Sequence, residues 1–351
     1  MKSLKDISWQ VSEPEYRKDP ALSYSTLSTY EREGRFEKLN TLFDRKESPS
    51  LVWGSALDTY LTDGEDAYNN SFLVAAFPEC SDSIVSIVKS LFAQCHDTYH
   101  SLLDIPDEIV IPLTQVQKYQ LNWKPETRVK VIKEKGEDYY NLLFLAQDKI
   151  IISSEVHTAV MNAAEALKTA ECTKEYFKTD NPFEPEIERL YQLKFKATIE
   201  GVNYRIMMDE AYVDHKNKTI RPIDLKSSSK REYNFPKSFL EWGYMWQGKL
   251  YTKVLRENIL KDEYFKDFTI LPYIFIVVNN KGDNPTPLCW EFSESVNTED
   301  YIVGDRIYRS PLTIGAELNE YLHTNPRVPK NISMTEPNNI TNWLEYDKRN
   351  H

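Results

Sequence analysis

Apolar residues recur first with a helical period and then, past the middle of the chain, with the two-residue period of strands. Residues 1–21 show neither and read as a polar leader. In 22–40, serines precede Leu27, Tyr30, Phe36 and Leu39, which predicts a serine-capped helix broken in its second half at Gly34. Residues 51–61 place apolar side chains at 53, 56, 57, 60 and 61, again helical, with Asp58 on the flank of the stripe. A helix is predicted over 82–104, with Ile84, Ile87, Val88, Leu91 and Phe92 on one face. Pro106, Pro112 and Pro125 punctuate the next stretch, and the alanine-rich segment 154–177 predicts a long helix.

The period then shortens. Apolar and charged residues alternate over 187–198, a Glu200-Gly201 turn follows, and 202–213 reads as a second strand. A polar turn at 214–218 leads into a third strand, 219–225, so three strands form a meander. A helix is predicted over 239–255. The continuous apolar run at 271–279 suits a buried central strand. The tail, 326–351, is polar and rich in Asn and Pro, and reads as irregular. The pattern divides the chain into the leader, a mostly helical part (22–180), an α/β core (181–325) and the tail. The fold class expected is α/β, a mixed sheet flanked by helices with an N-terminal helical elaboration.

Composition narrows the chemistry. The 351 residues carry 43 Lys and Arg against 54 Asp and Glu, a net charge of −11, which excludes a protein coated in positive charge. With only 10 glycines and neither GxGxxG nor GxxxxGK[ST], a glycine-rich phosphate loop is excluded. The start lacks the apolar core of a secretory signal, and the apolar run 273–278 is far too short to span a membrane. A cytoplasmic protein is expected, without a membrane partner. Cys80, Cys95, Cys172 and Cys289 form no CxxC pair and read as reduced thiols. His96-x-x-x-His100 could share a helix face, but no further ligand stands near it.

Residues 206–251 carry the chemistry. Asp209 lies in the second strand and Asp224 near the end of the third, where Asp224 and Lys226 share a face. Two carboxylates converging from adjacent strands are costly unless a cation lies between them, and hard oxygen donors suit Mg²⁺ or Mn²⁺. A lysine there would position, or help deprotonate, an attacking water. Gln247 and Tyr251 stand four apart on the predicted helix, with Tyr244 three residues before Gln247. Between 216 and 237 seven Lys and Arg face only two acidic residues, a local charge of +5 suited to phosphate. A second basic run, 123–135, reads as a solvated face.

Met208-Asp209, Asp224-Leu225-Lys226 and Gln247-x-x-x-Tyr251, in that order, resemble the PD-(D/E)xK nuclease superfamily, particularly its RecB-like and exonuclease VIII (RecE-like) phage exonucleases. Leu22-Ser23-Tyr24-Ser25, Trp53-Gly54-Ser55-Ala56-Leu57 and the strand at 273–277 are similar to further parts of that group, so the resemblance spans about residues 22–280. It implies that Asp209, Asp224 and the main-chain carbonyl of Leu225 hold Mg²⁺ (Mn²⁺ as substitute), and that Lys226 is the catalytic lysine. Gln247 and Tyr251 would support the site and touch DNA, and Ser227, Lys230 and Arg231 would line the DNA path. Asp58 occupies the place of a histidine ligand found in many relatives, so it is either a substitute ligand or a surface charge. Glu188, on the preceding hairpin arm, is a candidate extra carboxylate.

The resemblance further implies an enzyme that resects linear duplex DNA for recombination or repair, works as a homo-oligomer and feeds a single-strand annealing partner. If phage-encoded, it acts in the host cytoplasm. The cysteine gaps of 15, 77 and 117 residues do not suit the iron–sulfur cluster of some relatives, and none is expected. Two other readings remain open at this stage: an endonuclease on the same core, and a DNA-binding protein whose catalysis has decayed.

Overall fold

The computed structural model describes residues 1–33, 42, 48–177, 185–281 and 284–324. The predicted break at Gly34 and the irregular tail lie outside them. The chain forms two compact units, one of residues 1–58 with 162–351 and one of residues 59–161.

The first unit begins with a one-turn helix at Leu4–Ile7, then α1 (Glu13–Lys18), α2 (Tyr24–Arg32) and the start of α3 (Pro49–Thr62). Residues 1–21 are therefore not a loose leader. Ser3 with Asp6 and Ser12 with Glu15 form capping boxes, and Leu4 and Tyr16 are buried. The turns are too short to print a helical stripe on the sequence, so composition alone made the segment look unstructured.

The second unit holds α4 (Gly64–Ser71), β1 (Phe72–Val74), α5 (Asp82–Cys95), α6 (Asp107–Val116), α7 (Pro125–Ala146), β2 (Ile150–Ile152) and the first half of α8 (Ser154–Thr169). Its core joins Ile87, Val88 and Leu91 of α5 to Ile132 and Tyr140 of α7. Gly136 on α7 is required there, since a Cβ would lie 2.6 Å from Val88. The helix predicted over 82–104 stops at Cys95, where His96 Nδ1 lies 2.8 Å from the Phe92 carbonyl. The helix predicted over 154–177 stops at Thr169. The Thr173 hydroxyl donates to the Leu167 carbonyl (2.7 Å), satisfying an acceptor that a longer helix would have used.

The remainder of the first unit is a mixed sheet with helices. It comprises β3 (Ile187–Ile199), β4 (Val202–Asp214), β5 (Thr219–Ser228), α9 (Phe235–Trp242), α10 (Tyr244–Ile259), β6 (Thr269–Ile270), β7 (Tyr273–Asn279), β8 (Leu288–Phe292), the hairpin β9 (Tyr301–Val303) and β10 (Arg306–Tyr308), and α11 (Pro311–Thr324). The strand order is β3-β4-β5-β7-β8, with β6 also on β5. The predicted meander β3–β4–β5 is antiparallel, β5 and β7 run parallel across the α9–α10 crossover, and β8 returns antiparallel. One face packs Phe195, Tyr204, Ile206 and Phe275 against Leu250 and Val254 of α10. The helix expected over 239–255 is two helices. Gly243 breaks it with φ +69°, and a Cβ there would lie 2.2 Å from the Trp246 ring.

Two departures from a regular sheet build the site. The β4–β5 ladder ends at Glu210–Ile223, whereas β5 continues along β7 to Ser228 and β4 continues along β3 to Val202. The sheet therefore forks beyond Glu210 and Ile223. At the same level, Gln192 on β3 takes φ +53°, and the buried apolar positions of β4 change phase from 202, 204, 206 and 208 to 211 and 213, with Glu210 buried between them. Simple alternation along β4 is interrupted at Asp209.

Candidate active site

Asp209 and Asp224 face each other across this fork. Asp209 Oδ2 accepts from the Leu225 main-chain N–H at 2.8 Å, a bond that replaces the missing strand neighbour. N–H and C=O of one strand residue point to the same edge, so the Leu225 carbonyl also faces the Asp209 side. Asp224 is buried and held on both oxygens: Gln247 Nε2 of α10 donates to Oδ1, and Lys226 Nζ lies 2.5 Å from Oδ2. Lys226 Nζ also sits 4.7 Å from the centre of the Tyr244 ring, in cation–π contact. Asp209 and Lys226 keep partial exposure, so solvent reaches the site.

The electrostatics follow from crowding. Burial pushes the Asp209 carboxyl well up, and the neighbouring charges of Asp224 and Asp58 push it further, opposed by Lys226 and the Leu225 N–H. Burial likewise raises Asp224, against Lys226 and Gln247. Burial would depress Lys226, but Asp224, Tyr244 and Asp209 lift it above its ordinary value. Lys226 is thus held as a cation, which suits positioning a nucleophile and does not suit removing its proton.

Asp58, half-buried, lies close enough to this pair to act on it. Its Oδ2 accepts from Gln192 Nε2 at 2.7 Å, and its charge acts on Asp209. Gly54, one turn earlier on α3, lies beside Ser227 at the end of β5. Tyr251 is buried below the carboxylates with its ring 6.1 Å from Tyr273, so it supports the site from within and does not reach a surface ligand. Glu188 is elsewhere. Its carboxylate accepts from Ser3 Oγ and the Leu4 N–H and lies 3.4 Å from His215. The interrupted alternation on β3 and four residues of separation along the strand explain why the expectation for Glu188 fails.

The basic stretch 216–237 is likewise divided. Lys216 and Lys218 flank the β4–β5 turn, and eight residues of strand separate Lys218 from Lys226, roughly 26 Å at about 3.3 Å each. Arg221 pairs with Glu291 at 2.7 Å. Lys226 itself, Lys230, paired with Glu241 at 3.1 Å, and exposed Arg231 lie at the end of β5 that carries the carboxylates. In the 123–135 run, Arg128 is buried and Lys133 pairs with Asp107.

The donors around the fork are all oxygens, the set that suits Mg²⁺ or Mn²⁺. Asp224 is paired with the one lysine, Asp209 has no ion pair with it, and the buried Gln247 Oε1 has no hydrogen-bond partner, so the site carries unspent acceptor capacity. Among the described residues no group of three or more His, Cys, Asp or Glu side chains is arranged to hold a metal, His96 and His100 included. A cation here would rest on Asp209, Asp224 and the Leu225 carbonyl, with water completing its shell and Asp58 at the margin.

No family model and no curated protein matches the chain. In shape it is similar to the crystal structure of a protein from Eubacterium rectale, assigned provisionally as an exonuclease. That likeness covers 95% of this chain and 94% of the other at 12% identity, with a TM-score of 0.45.

Sequence reasoning missed Gln192, Tyr24 and Tyr273. Tyr273 looked like one more apolar strand residue, yet its buried hydroxyl lacks a partner and sits among Asp224, Tyr251 and Asp209. Gln192 gave no signal at all, because its role depends on a positive φ. Among the described residues no helix is long and apolar enough to cross a membrane.

Proposed function

We propose that the protein is a divalent-cation-dependent deoxyribonuclease, an exonuclease that hydrolyses phosphodiester bonds from the ends of linear duplex DNA. The observation that carries this reading is the pairing of Asp209 and Asp224 at the fork of the sheet, with Lys226 Nζ 2.5 Å from Asp224 and Gln247 fixing the other carboxylate oxygen. Asp209, Asp224 and the Leu225 carbonyl hold the cation, Mg²⁺ or Mn²⁺. When bound, the cation supplies charge against the phosphoryl oxygens and acidifies water. Lys226, kept cationic by its neighbours, positions the attacking water and offsets negative charge developing on the phosphoryl group. Gln247 fixes the orientation of Asp224, and Tyr244 holds Lys226 over its ring. Lys230, Arg231 and Ser227 supply phosphate contacts at the mouth of the site.

The test is digestion of end-labelled linear DNA with Mg²⁺ by the wild type, Asp224→Ala and Lys226→Ala. Cleavage by the wild type and a loss of about 10³-fold or more in each variant is expected, several kcal/mol of transition-state stabilisation being removed. Absence of cleavage with either metal, or normal cleavage by both variants, sinks the assignment. A covalently closed circle separates the modes, since an end-dependent enzyme leaves it intact and an endonuclease opens it.

A further inference from the structure

We propose that Trp242 and Arg32 form a stacking platform for an unpaired nucleobase at the mouth of the site that holds Lys226. The proposal rests on the nuclease reading and adds to it a site for the base. Trp242 ends α9 with 43% of its surface exposed, and the Arg32 guanidinium lies 4.3 Å from the centre of its ring. An exposed indole backed by a guanidinium offers a π face to a base and a cation to its phosphate.

The platform is built rather than incidental. The Trp242 carbonyl accepts from Tyr24 Oη at 2.9 Å and from Ser28 Oγ at 3.0 Å, so α2 pins the residue that carries the indole. The left-handed Gly243 turns the chain sharply into α10 and leaves Trp242 at the corner. Contacts then run inward. The Tyr24 ring lies 6.1 Å from the Tyr244 ring, and the Tyr244 ring lies 4.7 Å from Lys226 Nζ. The same corner carries Glu241, the partner of Lys230 at the mouth of the site. A base stacked on a pre-fixed ring costs little ordering, which is what a platform beside a reacting phosphate requires.

The experiment measures fluorescence anisotropy of a labelled single-stranded oligothymidine and of an abasic oligonucleotide of equal length, with EDTA, on the full chain. Wild type, Trp242→Ala, Trp242→Phe and Arg32→Ala are compared, and the same proteins digest linear DNA with Mg²⁺. Wild type should bind the base-bearing strand about tenfold or more tightly than the abasic one. Trp242→Ala should lose that preference, Trp242→Phe should keep most of it, and Arg32→Ala should fall between. In digestion, KM of Trp242→Ala should rise more than its kcat falls. An unchanged preference in Trp242→Ala, or none in wild type, together with normal digestion overturns the platform and leaves the nuclease reading intact. A base preference that Trp242 carries, without digestion by any protein, supports the platform and refutes hydrolysis.

Discussion

Asp209, Asp224 and Glu210 are three neighbouring carboxylates, the first half-buried and the other two buried, and they differ in what each gains. Asp224 has a lysine and a glutamine on its two oxygens, and Asp209 accepts from the Leu225 main chain. Glu210, next in sequence, has both oxygens buried without a hydrogen-bond partner. Burial pushes its carboxyl well above the usual range, and Asp209 adds to this while Arg189 opposes it. The folded protein therefore holds the Glu210 proton to higher pH than the unfolded chain does, and stability is lost as pH rises from the ordinary carboxylate range through the raised value. Glu210→Gln should stabilise the protein by about 1–3 kcal/mol at pH 8 and change little near pH 4. Urea unfolding at the two pH values checks this, and an equal effect at both would contradict it. The Asp209–Asp224–Lys226 set was legible in the sequence because spacing alone puts Asp224 and Lys226 on one face. The expectation for Glu188 fails because it lies opposite Val213, four residues along the strand from Asp209 and beyond the positive φ of Gln192.

Among the elements, α10 carries the most. It presents Gln247 to Asp224, Tyr251 to the layer below, and Leu250 and Val254 to the sheet. Gln247→Ala should leave the fold intact and weaken Mg²⁺ binding about 10- to 100-fold, the usual cost of removing a group that orients a ligand. Calorimetric Mg²⁺ titration reads this without relying on turnover. The placement of α10 depends in turn on Gly243. Gly243→Ala meets both the φ of +69° and the Trp246 ring, and should cost about 1–3 kcal/mol in chemical denaturation. A neutral result would mean that the corner is not under steric control. The sequence merged α9 and α10 because their apolar periods run on across the glycine, and nothing in a pattern of hydrophobicity marks a left-handed residue.

At the scale of the whole molecule, the chain folds as two units with separate cores, although the sequence divided it into a helical part and an α/β part at about residue 180. The described residues within 22–58 and 162–177 look helical and belong with the sheet unit, because membership is set by what a helix packs on and not by its own period. Ile132 lies wholly in one core and Phe275 wholly in the other. Ile132→Ala should cost about 2–5 kcal/mol and Phe275→Ala about 3–5 kcal/mol, each lowering a different transition in scanning calorimetry. If both lower one shared transition, the units do not melt independently. Only part of the basic stretch at 216–237 reaches the site, so the local charge of +5 is not concentrated there.

The sequence by itself determined the α/β class, the three-strand meander, the buried strand β7 and the shared face of Asp224 and Lys226. Each of these is written in a local period or a short spacing, which the backbone geometry of strands and helices converts directly into a shared face. Tertiary structure alone decided the fork between β4 and β5, the approach of Asp58, the displacement of Glu188 and the division of the basic stretch. Those depend on where a ladder stops, on one positive φ, and on which end of a strand a charge occupies, and no local pattern encodes any of the three.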